Sequence, residues 1–368
     1  AFLLAADADE FLSLAKFRAL RLLWARVESS CGLTPKPMRL HAETAFRMMT
    51  KYDPFVNILR TCMGVFCAGV GGADAITVLP FTLALGLPDD FARRIARNTQ
   101  LILIHEAKLA RVADPAAGAG SFEALTEELC KRAWSLFQKF EAQGGMITSL
   151  RVGVPQREIA AAAAARREAI AQRTLAITGT SAFPLLSEAP VSVLEPTPAG
   201  ANGSPAAGDC VSLPSRRDAE PYENLRAAAD EHFHKTGERP KIFLANLGTP
   251  QGFAAASAYA ANFFAAAGIE VLNNEGSETA QEAADVFRAS GCKIACMCAP
   301  GTVSTHALID AATRLSEAGA ARIYLAGEPE KLETALLEAG VAELICAGSD
   351  TLAILEDTLA VALGGRQS

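Results

Sequence analysis

The sequence predicts an α/β protein with two folded regions, and three observations predict it. After residue 240, five short apolar runs alternate with segments rich in Ala, Leu and Glu, the pattern of a βα repeat around a parallel sheet. Before residue 145, three similar units occur. Between them the composition becomes Ala-rich and then rich in Pro, Gly and Ser, which cannot bury a core and therefore predicts a linker. The predicted division is a first region over 1–145, a linker over 146–239 and a second region over 240–368.

The first region alternates strand-like and helix-like segments. Residues 10–29 place apolar side chains at helical spacing, with basic side chains on the other side. Three βα units at about 30 residues each are too few to close a (β/α)8 barrel. Because the chain also starts inside an apolar strand and without Met, we expect the C-terminal part of a TIM barrel whose earlier strands are absent from this sequence or carried by another polypeptide. The predicted strands are 1–5, 38–41 and 75–79, and the predicted helices are 10–29, 54–68, 88–112 and 122–143.

The second region has the organisation of a doubly wound domain. Five βα units most often adopt the flavodoxin-like strand order, in which ligands bind at the carboxyl ends of the strands. The loop over 248–253, Gly-Thr-Pro-Gln-Gly-Phe, follows the first strand and is therefore expected at the ligand-binding edge. The predicted strands are 241–246, 269–272, 293–299, 322–326 and 343–347.

The composition is typical of a soluble globular protein, since 50% of the 368 residues are hydrophobic and 20% are charged. The net charge of −7 argues against polyanions, so neither nucleic acid nor a membrane is predicted as a partner. Nine Cys lie mostly within apolar runs and no signal peptide precedes them, which predicts a reduced, cytoplasmic protein. Cys296 and Cys298 have no second Cys or His pair close in sequence, so core packing is favoured over a metal or redox pair.

A family resemblance covers almost the whole chain. Four segments of the first region resemble the carboxyl half of the acyl-CoA-binding barrel of methylmalonyl-CoA mutases. They are 17–26, 60–62, 95–100 (Ile-Ala-Arg-Asn-Thr-Gln) and 112–118. Residues 162–183 and 219–225 are similar to the interdomain linker of this family, and residues 240–364 resemble its cobalamin-binding domain.

The first region departs from the family pattern where the substrate binds. In the catalytic subunits, the segment matching 39–44 carries a His and a Gln that contact the thioester and carboxylate region. This chain keeps His41 but has Glu43 for the Gln, and a carboxylate disfavours an anionic malonyl group there. Apolar residues replace a second set of polar ligands over 75–80, as in the smaller subunit of the heterodimeric bacterial mutases. His41 is therefore a candidate substrate contact, although retained structure is the favoured alternative.

The second region departs from the pattern at the cofactor. In the related domains, the loop after the first strand carries Asp-x-His-x-x-Gly, and its His binds cobalt while its Asp orients the imidazole. Here the loop keeps Gly248, Pro250 and Gly252 but has neither His nor Asp. Two further contact elements are replaced by Cys298-Ala299-Pro300 and by the single glycine Gly327. The resemblance therefore implies no cofactor and no metal on this chain, with a vestigial loop where the cofactor would bind.

The remaining polar motifs favour structural interpretations. The loop over 301–304, Gly-Thr-Val-Ser, offers a helix N-terminus to a phosphate, but Ser304 as an ordinary N-cap is favoured. His105 is predicted at the surface, and His232 and His234 are not predicted to form a metal site.

Together, these departures imply a small-subunit-type, non-catalytic component of methylmalonyl-CoA mutase. This isomerase of propionate metabolism interconverts succinyl-CoA and methylmalonyl-CoA. The resemblance implies a heterodimer in which a larger catalytic subunit binds adenosylcobalamin and the acyl-CoA substrate, and it assigns no catalytic residue to this chain. Two alternatives stay open: an autonomous adenosylcobalamin-dependent acyl-CoA mutase, and a regulatory protein that uses the vestigial pocket for another ligand.

Overall fold

The computed structural model describes residues 1–196, 210–327 and 334–364. The chain divides into two compact units, one of Ala1–Ala163 with Ala189–Asp218 and one of Ala164–Glu188 with Ala219–Ser368. Most of the Pro-, Gly- and Ser-rich part of the predicted linker, residues 197–209, lies outside the described residues.

A three-stranded parallel sheet in the order β1-β2-β3 forms the centre of the first unit. Helices cover one of its faces, where Phe17 and Ala68 pack against Ala6, Leu40 and Ala42. The strands are β1 (Phe2–Ala6), β2 (Leu40–Thr44) and β3 (Ala75–Thr77). The helices are α1 (Glu10–Ser30), α2 (Val56–Val70), α3 (Asp90–His105), α4 (Gly120–Ala142) and α5 (Gly145–Arg151). Helix α6 (Val154–Ala171) begins in this unit and ends in the second. A short antiparallel pair is formed by β4 (Gly86–Leu87) and β5 (Glu195–Pro196).

Local sequence explains where these elements begin. Asp9 accepts a hydrogen bond from Leu12 N at 3.1 Å and caps α1, and Asp89 accepts one from Ala92 N at 2.8 Å and caps α3. The three strands and four helices predicted for this region are confirmed, with shifted ends. Strand β2 begins at Leu40 rather than at residue 38, because pairing with β1 starts where Phe2 lies opposite Leu40.

The second unit contains five parallel strands in the order β7-β6-β8-β9-β10, the flavodoxin-like order. Its two sheet faces bury separate apolar clusters, with Phe263 and Phe264 on one side and Phe243 and Phe287 on the other. The strands are β6 (Lys241–Asn246), β7 (Glu270–Asn273), β8 (Ile294–Cys298), β9 (Arg322–Ala326) and β10 (Val341–Ile345). The helices are α7 (Glu220–Thr236), α8 (Pro250–Ala265), α9 (Ala280–Ser290), α10 (Thr305–Glu317), α11 (Thr334–Glu338) and α12 (Thr351–Ala362).

The segment over 146–239, predicted as a linker, carries helices α5, α6 and α7 and contributes to both units. Ile170 of α6 and Tyr222 of α7 are buried in the core of the second unit. Tyr222 Oη also donates a hydrogen bond to Ile170 O at 3.1 Å. This Ala-rich segment therefore contains a few large apolar residues, and its helices bury them.

None of the helices within the described ranges combines the length and the apolar character that a membrane span requires.

A carboxylate ties together the amino-terminal ends of β2 and β3. Asp74 Oδ2 accepts hydrogen bonds from Leu40 N at 2.8 Å and from the Arg21 guanidinium at 3.0 Å. Arg21 also donates to Met38 O at 3.2 Å, so α1 is joined to the same point. The hydrogen bond from Leu40 N, followed by the one from Arg21, lowers the pKa of Asp74 below its ordinary value.

We expect Asp74→Asn to lower the free energy of unfolding by about 0.5–1 kcal/mol at pH 7, because the Arg21 ion pair is lost while an acceptor for Leu40 N remains. Since the pKa of Asp74 is lower in the folded state, this stabilisation is present above the unfolded pKa of about 3.9 and is lost as pH falls through the folded pKa. Urea unfolding of both proteins between pH 7 and pH 3 measures the difference. A difference that stays constant down to pH 3 would contradict this role.

Candidate functional site

The uncovered face of the β1-β2-β3 sheet carries the side chains predicted at a substrate site. Alternation along β2 sends His41 and Glu43 to the face opposite the core. The register places Leu3 of β1 beside His41 and Thr77 of β3 beside Glu43. Leu3 is 63% exposed, so the described residues of the first unit leave this face open.

His41 and Glu43 differ in their surroundings. His41 Nε2 lies 2.9 Å from Thr77 Oγ1, a diagonal contact across neighbouring strands. Glu43 is half-buried, and it makes no hydrogen bond or ion pair with any residue within the described ranges. The structure thus brings the two predicted residues together on one face. An unpaired carboxylate there favours a cation or a hydrogen-bond donor over an anionic acyl group.

The sequence analysis missed a charged group at the carboxyl edge of this sheet. Asp7 directly follows β1 and accepts a hydrogen bond at 2.7 Å from Nε of Arg47, which lies just after β2. Lys16 of α1 donates a hydrogen bond to Ala5 O at the same edge. Burial, followed by repulsion from Arg47, lowers the pKa of the Lys16 amino group. Charged residues close after two strand-like runs were the available signal, because parallel sheets carry ligand sites at their carboxyl ends.

The corresponding edge of the second unit is formed by the loops after β6, β7 and β8. Two backbone hydrogen bonds tie the first loop to both neighbours. Leu247 N donates to Cys298 O at 2.9 Å, and Gly248 N donates to Ser277 O at 2.9 Å. The vestigial loop is therefore held at its start by the end of β8 on one side and by the loop after β7 on the other.

Amide side chains, also missed by the sequence analysis, reinforce this connection. The backbone N of Asn246, the buried last residue of β6, donates a hydrogen bond to Asn274 Oδ1 at 3.0 Å. Its side-chain Nδ2 donates to Asn274 O at 3.0 Å, and Asn274 Nδ2 donates to Ser277 Oγ at 2.9 Å. Asparagine at or just beyond the end of two adjacent strands is the signal that could have identified this contact.

Close packing fills the space around the loop. A Cβ added to Gly252 would lie 3.1 Å from Pro300 Cγ, and one added to Gly276 would lie 2.8 Å from Gly248 O and 2.9 Å from Phe253 Cε1. Phe253 is itself buried. The loops after β6, β7 and β8 therefore touch one another where a crevice between β6 and β8 would open in this fold.

The residues of this edge do not fit a histidine-ligated cobalamin. The described loops after β6, β7 and β8 contain no imidazole, and the exposed His306 lies in the first turn of α10. The hydroxyl of Ser304 accepts a hydrogen bond from Ala307 N at 3.3 Å, which confirms that Ser304 is the N-cap of α10. Gly327 directly follows β9, and the next residues, 328–333, lie outside the described residues.

The cysteines of β8 pack in the core, as the sequence predicts. Cys296 and Cys298 are fully buried in the same apolar cluster, and burial raises the pKa of the Cys296 thiol. All nine cysteines are free thiols. In the part of the chain that the structure describes, no group of three or more His, Cys, Asp or Glu residues is placed to hold a metal ion.

We expect Gly276→Ala to lower the free energy of unfolding by about 2–4 kcal/mol, because the new methyl group meets Gly248 O and Phe253 in addition to the strain of a positive φ. Gly291→Ala is the matched control, since Gly291 has a φ of +70° but open space around its Cβ position. It should cost about 1 kcal/mol. Thermal and urea unfolding measure both variants, and equal losses would show that the loops do not pack closely.

Comparisons with known proteins place the chain in a family. The family model described as methylmalonyl-CoA mutase matches residues 1–225. The methylmalonyl-CoA mutase small subunit of Streptomyces virginiae is 46% identical over 359 residues, which are 97% of this chain and 56% of that protein. The small subunit of Propionibacterium freudenreichii subsp. shermanii is 38% identical over 329 residues, 89% of this chain and 50% of that protein.

Two other comparisons cover less of the chain. A methylmalonyl-CoA mutase of Rhizobium meliloti is 38% identical over 200 residues, 53% of this chain and 28% of that protein. The crystal structure of a cobalamin-binding protein from Desulfitobacterium hafniense is 18% identical, with a TM-score of 0.28 over 37% of this chain and 67% of that one.

The chain spans about half the length of the small subunits that it matches. The family model nevertheless covers more than half of this chain, including every strand of the first unit. The chain therefore belongs to the methylmalonyl-CoA mutase family.

Proposed function

We propose that the chain is part of a small-subunit-type component of methylmalonyl-CoA mutase and that it takes a structural and assembly role beside a larger catalytic subunit. The observation that carries the proposal is the carboxyl edge of the second unit, where hydrogen-bonded loops and Pro300 stand in place of a cobalt-binding loop. Curated relatives named as small subunits support it, because their name implies a larger partner.

The cofactor of the complex is then adenosylcobalamin on the larger subunit. Two properties of this chain support that assignment. The loop beginning at Gly248 offers no imidazole to cobalt, and Gly276 packs closely against Gly248 and Phe253, which fixes the present loop. A domain that has lost the cobalt ligand is expected to serve as a scaffold.

The acyl-CoA substrate is likewise assigned to the larger subunit. Glu43 places an unpaired carboxylate beside His41, and the neighbouring positions on the same face are Leu3 and Ala75. Among the described strand residues of this face, none carries a guanidinium, an ammonium or an amide group, the groups that hold an anionic malonyl group. His41, held by Thr77, is on this account a retained structural residue.

The first unit is proposed to be the C-terminal part of a (β/α)8 barrel. Its strands follow chain order in space and are parallel, as in that fold. Both β1 and β3 are edge strands in the described structure, and one sheet face is open. Further strands, from the same protein or from another polypeptide, would pair these edges and cover Leu3.

We expect the purified chain to give no histidine-ligated, base-off cobalamin spectrum when it is titrated with adenosylcobalamin, and to convert no succinyl-CoA to methylmalonyl-CoA. The physical reason is the absence of a cobalt ligand in the described loops after β6, β7 and β8. Absorption spectroscopy and chromatography of the acyl-CoA products measure the two outcomes.

A tagged chain co-expressed with a larger mutase subunit from Streptomyces virginiae tests the assembly role. The proposal expects the two to co-purify and the turnover to depend on the larger subunit. A base-off spectrum at one cobalamin per chain, or turnover by this chain alone, would overturn the non-catalytic assignment. Failure to co-purify would contradict the assembly role.

A further inference from the structure

A cavity of about 580 Å³ lies between helices α1 and α4 of the first unit. Its size falls within the range of about 300–1,000 Å³ that is typical of small-molecule sites. Leu22 and Leu23 of α1 and Cys130 and Trp134 of α4 form its apolar walls. None of its lining residues belongs to the β1-β2-β3 sheet or to the second unit, so the cavity is independent of the sites described above.

Not every charged side chain around this cavity has an oppositely charged partner. Glu123 pairs with Arg18 at 2.9 Å, and Lys131 pairs with Glu127 at 2.9 Å. Arg26 also lines the cavity, but its guanidinium makes no ion pair or hydrogen bond with any residue that the structure describes. The cavity therefore presents one cation without an anionic partner.

An aromatic face accompanies this cation. The Arg26 guanidinium lies 5.7 Å from the centre of the Trp134 ring, within the range of a cation–π interaction. A flat ring that stacks on an indole and carries an anion toward Arg26 would use both groups at once. An aliphatic anion would use the cation alone, and a neutral arene would use the indole alone.

A buried hydroxyl adds a polar group to the cavity lining. Thr126 lines the cavity and is 2% exposed, and its Oγ1 has no hydrogen-bond partner in the described structure. Buried hydroxyls in native proteins are nearly always hydrogen-bonded, to protein, water or ligand. Among the described residues, Thr126 thus supplies a buried hydroxyl at the cavity wall whose hydrogen-bonding capacity is not used by the protein.

We propose that this cavity is a binding site for a flat aromatic or heteroaromatic molecule with one anionic group. In the open cavity, Trp134 stacks on the ring, Leu22 and Leu23 contact one edge of it, and Arg26 pairs with the anion. The site lies beyond the proposed mutase-subunit function, because it uses none of the residues assigned to substrate or cofactor. An arene carboxylate and a purine nucleotide share this chemistry.

The test uses a chain that carries Trp24→Phe. The chain has two Trp, so this change leaves Trp134 as the only indole. Calorimetry and Trp134 fluorescence are used to titrate the full chain with 2-naphthoate and its neutral counterpart 2-naphthamide, and with AMP and adenosine. The proposal expects saturable binding at one site per chain, with Trp134 quenching. It also expects the anionic member of at least one pair to bind about tenfold more tightly than the neutral member, a difference of about 1.4 kcal/mol.

Arg26→Gln should abolish the preference for the anion and leave the affinity for the neutral molecule unchanged. Arg93→Gln is the matched control, since Arg93 is exposed on α3 and does not line the cavity. The pair that responds identifies the ring class. The proposal is overturned if neither anion saturates, if acid and neutral molecule bind equally, or if Arg26→Gln and Arg93→Gln have the same effect. The proposed mutase-subunit function is tested separately, by cobalamin spectra and co-purification.

Discussion

The backbone hydrogen bonds at the end of β6 are the constraint on which the second unit depends. Leu247 N donates to Cys298 O at the end of β8, and Gly248 N donates to Ser277 O in the loop after β7, so the loop after β6 is fixed on both sides. This fold usually opens a ligand crevice between β6 and β8. Here Pro300, which follows β8, packs close to Gly252 of the loop, and Gly276, which follows β7, packs close to Gly248 and Phe253. The flavodoxin-like strand order is thus retained, while the loops at its carboxyl edge pack against one another.

The first unit combines the same two properties, a retained framework and an altered surface. Asp74 and Arg21 hold the amino-terminal ends of β2 and β3 to α1, and an apolar core lies beneath the sheet. The open face, in contrast, carries an unpaired Glu43 beside His41. A protein that docks a catalytic partner needs the framework of such a unit more than its substrate contacts. This combination is what the proposed subunit role requires.

Strand and helix order could be predicted from sequence because the apolar runs are short, regular and bounded by polar segments. All five strands of the second unit were expected, and so was the burial of Cys296. The folded parts of 146–239 could not be, since one large residue such as Tyr222 is lost in an Ala-rich composition. The Asn246–Asn274 contact and the Arg47–Asp7 pair were also not predicted. Each joins residues that lie far apart in the chain and meet only through strand register.

The central claim is that the carboxyl edge of the second unit is closed. Its most direct test is amide hydrogen exchange at Leu247, Gly248 and Ser277. All three amides donate backbone hydrogen bonds at this edge, Ser277 N to Asn246 O at 2.9 Å. The account predicts slow exchange at these positions in the purified chain, unchanged when adenosylcobalamin is added in excess. Rapid exchange in the free chain, or protection lost from these three amides on addition of adenosylcobalamin, would contradict it.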